Sequence, residues 1–200
     1  TIWPEIESGA IERRTITPDD LHPNDLGHHM MADVIIHFLE LVYANLEHER
    51  ERDNDMPAPI TENAYEHSTR WQNDNYEPVT DGFARDDTPQ NDIREIFRKG
   101  WTASEKGASI TFEVEGSCLA VQYRKSVVQP TPIAKAIVDG DEEHAMILDG
   151  NFEETWGDSL HLDTLAEHLP YGKHTVRIEL VETHENDKVP FYLVSIIASH

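Results

Sequence analysis

The hydrophobic residues of this chain change period part-way along, and that change decides what it can fold into. Near the N-terminus Leu26, Met30, Val34, Phe38, Leu41 and Val42 recur every three to four residues. This spacing predicts one amphipathic helix, with Asp33, His37 and Glu40 off the apolar face and Asn24 or Asp25 as N-cap after Pro23. Further along, the period is two. Residues 110–115 (Ile-Thr-Phe-Glu-Val-Glu) alternate cleanly, Gly116-Ser117 turns the chain, and residues 118–123 run back. More strands are expected at 93–101, 134–138, 145–148, 174–181 and 191–198, with an outer strand somewhere in 62–79. The breaks between them carry turn chemistry: Asp139-Gly140-Asp141, Asp149-Gly150-Asn151, Tyr171-Gly172-Lys173 and Glu185-Asn186-Asp187. Short strands at this spacing predict a mainly β fold, an antiparallel β-sandwich, behind a short helical segment.

The two textures are separated by a stretch of mixed charge running into Met56-Pro57-Ala58-Pro59, a helix end followed by a Pro-stiffened linker. The expected organisation is therefore a helical part over 1–46, a linker over 47–60 and a sandwich over 61–200. Composition then removes whole classes of partner. With 39 Asp and Glu against 16 Lys and Arg, the net charge of −23 repels phosphate backbones and anionic lipid, so neither nucleic acid nor membrane is expected as a partner. The apolar stretch near residues 34–42 is far shorter than a membrane span and is broken by His37 and Glu40. Cys118 is the single cysteine, which excludes an internal disulfide framework and a Cys-rich zinc site. The chain opens on Thr1-Ile2-Trp3-Pro4 with neither an initiator Met nor a signal peptide. The expectation is a processed chain or a piece of a longer one, cytoplasmic rather than secreted.

The constellation that carries chemistry is Thr17-Pro-Asp-Asp-Leu-His-Pro-Asn-Asp-Leu-Gly-His28. An Asp three residues before a His, in a turn ahead of a helix, can set its carboxylate against Nδ1. The tautomer is then fixed and Nε2 is left to act as a base. The competing reading makes Asp19 and Asp20 ordinary loop acids and His22 a surface histidine. The longer string, Asp19-x-x-His22-Pro23-Asn24-Asp25-x-Gly27-His28 followed by a helix, resembles the last sequence block of the SGNH (GDSL-type) hydrolases. The resemblance covers about the first 45 residues. It implies Asp19 as orienting acid and His22 as general base of a Ser-His-Asp triad, with no cofactor. The family's nucleophile block and its oxyanion-hole donors come earlier in such chains, so they are expected in an upstream segment that this chain does not contain.

Trp156-Gly157-Asp158-Ser159-Leu160 repeats the family's nucleophile tetrapeptide downstream, which opens the reading of a circularly permuted hydrolase using Ser159. Its flanks argue otherwise. Polar, turn-like residues 150–155 precede it where a buried strand is required, and residues 160–165 alternate like a strand where a helix is required. Metal binding by His28, His29, Asp33 and His37 competes with a plain Asp33–His37 pair at i,i+4. Calcium binding by Glu62, Glu66 and the 149–154 loop competes with ordinary surface acidity. No metal site is expected. Trp101, Trp156 and Tyr123, together with Trp71, are candidates for stacking on sugar rings, against ordinary packing. Finally, Lys99-Gly100-Trp101, Val138-Asp139-Gly140 and Tyr171-Gly-Lys-His-Thr-Val-Arg-Ile178 are similar to the jelly-roll modules attached to SGNH carbohydrate esterases. Together these imply the end of an α/β SGNH domain plus a jelly-roll-like sandwich, in an enzyme that hydrolyses esters on carbohydrate. A non-catalytic carbohydrate-binding or interaction module is the alternative.

Overall fold

A computed structural model describes residues 2–46, 58, 60 and 65–200, apart from the side chains of Asp92 and Ile93. The expected linker lies almost wholly outside the described residues, as does Glu62. The chain divides into two compact units, Thr1–Ala58 and Pro59–His200. No helix among the described residues is long and apolar enough to cross a membrane.

Among the described residues the first unit has three α-helices: α1 (Trp3–Glu7), α2 (Arg13–Ile16) and α3 (Asp25–Asn45). Asn24 is the N-cap of α3, its side-chain oxygen accepting the Gly27 N–H at 3.0 Å. The expected single apolar stripe proves too narrow. Met31, Ile35, Ile36 and Leu39 extend the apolar surface beyond Val34, Phe38, Leu41 and Val42, and all eight are exposed.

The second unit is an antiparallel sandwich of β1 (Thr69–Trp71), β2 (Val79–Asp81), β3 (Ala84–Asp86), β4 (Gly100–Ala103), β5 (Ser109–Gly116), β6 (Cys118–Lys125), β7 (Ile133–Val138), β8 (Met146–Asp149), β9 (Ser159–Ala166), β10 (Gly172–Glu182) and β11 (Phe191–Ser199). One sheet runs β3-β4-β11-β6-β9, with β1 also paired to β11; the other runs β2-β5-β10-β7-β8. Alternating residues of both sheets meet in one core. Ile110, Phe112 and Val114 of β5 face Leu119, Val121 and Tyr123 of β6, with Val176, Ile178 and Leu180 of β10 alongside. Phe112 stands at its centre, fully buried, edge-on to Trp101 at 5.2 Å and stacked on Tyr76 at 5.4 Å.

The expected strand over 93–101 is corrected. Asp92–Phe97 is a 3-10 helix, and the strand begins only at Gly100. The reason is a second, smaller core. Phe97 packs on Tyr192 and Val194 on the outer side of β11, so both faces of that strand are covered. A register shift between Leu193 and Ser195 also moves the inward phase of β11 from Phe191 and Leu193 to Ile196 and Ala198. Gly100 is needed where β4 starts, because a Cβ there would lie 2.3 Å from the Leu193 carbonyl oxygen and from the Tyr192 ring.

Phe112→Ala leaves a cavity ringed by Trp101 and Tyr76. The expected loss is about 3–5 kcal/mol, read as a large drop in the thermal midpoint of the sandwich.

Candidate functional site

Asp19 organises the turn ahead of α3. Its Oδ1 accepts the backbone N–H groups of Leu21 at 3.1 Å and His22 at 2.7 Å, and its Oδ2 lies 2.7 Å from His22 Nδ1. One carboxylate thus folds the turn and fixes the ring. With an acceptor on Nδ1, that nitrogen carries the proton and Nε2 offers its lone pair. Nε2 has no hydrogen-bond partner among the described residues, and 77% of the His22 side chain is exposed. The His22 ring and the two backbone N–H groups hold the Asp19 carboxyl far below the usual carboxylate range.

The surrounding residues brace this turn. Asp20 takes a left-handed backbone, φ 65°. It is pinned there by Arg14, whose Nη2 lies 2.7 Å from Oδ2, and by Arg13, which donates to the Asp20 carbonyl at 2.6 Å. Asn24 ties the helix start to α2 twice, with its backbone N–H on the Ile16 carbonyl and its side-chain amide on the Thr15 carbonyl, both at 3.0 Å. Gly27 completes the contact. A Cβ there would sit 2.5 Å from the Ile16 carbonyl oxygen and 2.9 Å from Pro23 Cβ, so only glycine lets α3 approach this closely. Arg13 and Arg14 escape a sequence reading because they lie outside the motif; a basic pair six or seven residues before an Asp carries no signal of its own.

The pairing of Asp with His at i,i+3 occurs a second time. In the turn between β7 and β8, Asp141 Oδ2 lies 2.8 Å from His144 Nδ1, while Oδ1 accepts from Glu143 and His144 N–H at 3.1 and 3.2 Å. The local geometry is therefore a property of the Asp-x-x-His turn. What differs at Asp19 is the setting: two arginines, a capped 21-residue helix and a long exposed apolar surface on that helix.

The remaining candidates separate clearly. Trp101 and Tyr123 are 3% and 2% exposed, packed in the sandwich core, so neither can stack on a sugar. Trp71 is half-buried against the same core. Trp156 is 68% exposed, edge-on to Phe152 at 5.3 Å. Ser159 opens β9 opposite Lys125, and the preceding Asp158 is taken up by Ser126 Oγ at 2.8 Å and Val127 N–H at 3.1 Å. The tetrapeptide therefore lies at the start of a strand, not at a strand-to-helix elbow. On α3 the expected Asp33–His37 pair is replaced by His29–Asp33 at 3.6 Å and His37–Glu40 at 4.0 Å. No group of three metal-ligating side chains occurs among the described residues. Asp149 is occupied by Asn151, whose backbone and side-chain N–H groups it accepts at 2.9 and 2.7 Å.

Comparison with known proteins gives no matching family profile and no matching curated protein. Among solved structures the chain is similar to a two-domain esterase, CEX, active on acetylated mannans, in two crystal structures. One is co-crystallised with mannopentaose and matches at 56% identity with a TM-score of 0.88; the other matches at 55% and 0.90. Both alignments cover the whole of this chain but only 52% and 53% of the esterase, so the chain spans about half the length of that relative.

The depressed acidity of Asp19 has a testable sign. The contact with His22 stabilises the turn above the ordinary carboxylate value of 3.8 and is lost only as pH falls through the lower folded value. Carboxyl 13C NMR should show Asp19 ionised through that ordinary midpoint. A normal titration there would mean the dyad does not persist in solution.

Proposed function

We propose that this chain is the C-terminal part of a two-domain SGNH-type esterase acting on acetylated carbohydrate, mannan being the first substrate to test. The observation that carries this reading is the Asp19–His22 dyad at the start of α3, in a chain 56% identical to half of an esterase active on acetylated mannans. The nucleophilic serine and the oxyanion donors come from an upstream segment. Exposure of α3 supports this. A helix apolar on most of its sides is one that lies in a core, and Phe38, Leu39 and Ile36 here are all more than half exposed. An upstream α/β layer is the natural cover.

The chemistry assigned to the dyad is proton transfer. His22 Nε2 takes the proton of the attacking serine hydroxyl as its oxygen bonds to the ester carbonyl carbon. The resulting imidazolium, steadied by the ionised Asp19, returns that proton to the departing sugar oxygen as the acyl-enzyme forms. Water then attacks the acyl carbon, His22 again takes a proton, and acetate leaves as the serine is re-protonated. Oxyanion donors stabilise the two tetrahedral intermediates. Because the Asp19 carboxyl is held far below the usual carboxylate range, it stays ionised where an ordinary carboxyl titrates and adds no such step to the acid limb of the pH–rate profile.

A second reading is favoured by the exposure of Trp156. On this view the sandwich binds carbohydrate without catalysing anything. Saturable quenching of Trp fluorescence by manno-oligosaccharides, abolished by Trp156→Ala, would support it.

Two outcomes test the esterase reading. The 200-residue chain alone should not turn over p-nitrophenyl acetate; turnover abolished by Ser159→Ala would establish the permuted enzyme instead. In a chain extended upstream through a Gly-Asp-Ser block, His22→Ala should lower kcat by roughly 10⁴–10⁶-fold, the scale of triad losses. A loss below about tenfold would remove His22 from proton transfer.

A further inference from the structure

Both ring nitrogens of His174, at the start of β10, face acceptors. Nδ1 lies 2.6 Å from Asp139 Oδ2, and Nε2 lies 2.9 Å from the Pro170 carbonyl oxygen. A neutral imidazole donates from one nitrogen and accepts at the other, so it cannot satisfy a carboxylate and a carbonyl together. The side chain is 10% exposed, which leaves little room for water to make up the difference. Asp139 Oδ1 meanwhile accepts the Thr175 N–H at 2.8 Å, a bond that favours the ionised carboxylate and puts the shared proton on the ring.

The geometry points to His174 as an imidazolium latch that ties the β7–β8 turn to the segment entering β10, so that this end of the sandwich is held by a proton and loosens in alkali. The turn it holds is a strained one. Asp139 and Gly140 both take left-handed backbones, φ 50° and 76°, and for Asp139 that conformation must be supported from outside. The support is His174 together with two bonds to the Thr175 backbone, Thr175 N–H to Asp139 Oδ1 at 2.8 Å and Asp139 N–H to the Thr175 carbonyl at 2.9 Å. Asp139 also walls a cavity of about 200 Å³ with Asp141, His144, Met146, Leu165 and Leu169, so the latch borders an opening into the sandwich.

The charges around the ring set the sign of the effect. Hydrogen bonding to Asp139 raises the His174 pKa above its ordinary 6.5, against a smaller opposing contribution from burial. Asp141 and His144, across the cavity, are bonded to each other. On the neighbouring strands Glu113, Glu115 and Lys173 have exposed side chains, with Lys173 on Glu113 at 2.9 Å. In the segment before Pro170, Glu167 accepts the Tyr65 hydroxyl, and His168 follows it. Asp139 is the one charged group identified as shifting His174. A group whose pKa is raised on folding contributes its full stabilisation below the unfolded value, and that stabilisation is lost as pH rises through the folded value.

The test uses the intact chain. Long-range 1H–15N NMR should show both ring nitrogens of His174 protonated at about pH 7, with a titration midpoint above the ordinary histidine value. Asp139→Asn should move that midpoint down. The difference in thermal midpoint between wild type and His174→Gln should shrink as pH is raised from about 6 to 9. A single neutral tautomer at about pH 7 would overturn the latch. So would a midpoint unmoved by Asp139→Asn, or a stability difference independent of pH. The NMR reading on the wild type stands even if a variant fails to fold.

Discussion

One carboxylate underlies the functional reading. Asp19 accepts three hydrogen bonds, two from the backbone of the turn and one from His22 Nδ1, so the same charge that folds the turn also sets the ring. Everything downstream depends on that turn being rigid. Asn24 closes the helix on α2, Gly27 permits the contact distance, and Arg13 and Arg14 pin the left-handed Asp20. An imidazole held this way loses little orientational freedom on reaching a transition state, which is where positioned acid–base groups gain their effect. The Asp141–His144 turn shows that the same bonds form with no helix behind them. Orientation of the ring is thus a cheap local property, and what the ring faces decides its use.

The sandwich owes its form to alternation, interrupted by shifts of register. Register shifts occur where β10 meets β7, between Leu180 and Glu182, and where β6 meets β9, between Leu119 and Ala120; β11, which pairs with β1, β4 and β6, shifts between Leu193 and Ser195. The shift lets Phe191, Leu193, Ile196 and Ala198 all face the main core and leaves Tyr192 and Val194 for Phe97 on the other side. Arg124 lies over that second cluster, 5.3 Å from the Tyr192 ring, and donates to the Pro190 carbonyl at 3.1 Å. The opposite sheet has its own anchor at His174. A buried cation there joins two turns that backbone pairing alone does not connect.

Much of this was legible in the residues, and the exceptions have causes. The alternation at 110–115 marks β5, whose outward residues are wetter than its inward ones, and the Gly116-Ser117 turn marks β6, which is buried at nearly every position over 118–123. Asn24 and the helix after it were readable from cap and period together. Residues 93–101 are hard to read because Phe97 packs into a second cluster with Tyr192 and Val194 while Trp101 enters the sandwich core, and a 3-10 turn offers no period to recognise. Trp101 and Tyr123 misled for a different reason: an aromatic in a strand looks the same in sequence whether it points in or out. The bracing of Asp20 by Arg13 and Arg14, and the Asp139–His174 contact across 35 residues, are products of tertiary structure that no local pattern encodes.

On the proposed mechanism His22 activates a serine outside this chain. Labelling of the upstream-extended protein with a fluorophosphonate, followed by peptide mapping, addresses it most directly. A single modified serine is expected, upstream of Thr1, whose labelling is suppressed when His22 is replaced by Gln while the fold is retained. A label on Ser159, or upstream labelling that proceeds at the same rate without His22, would contradict it.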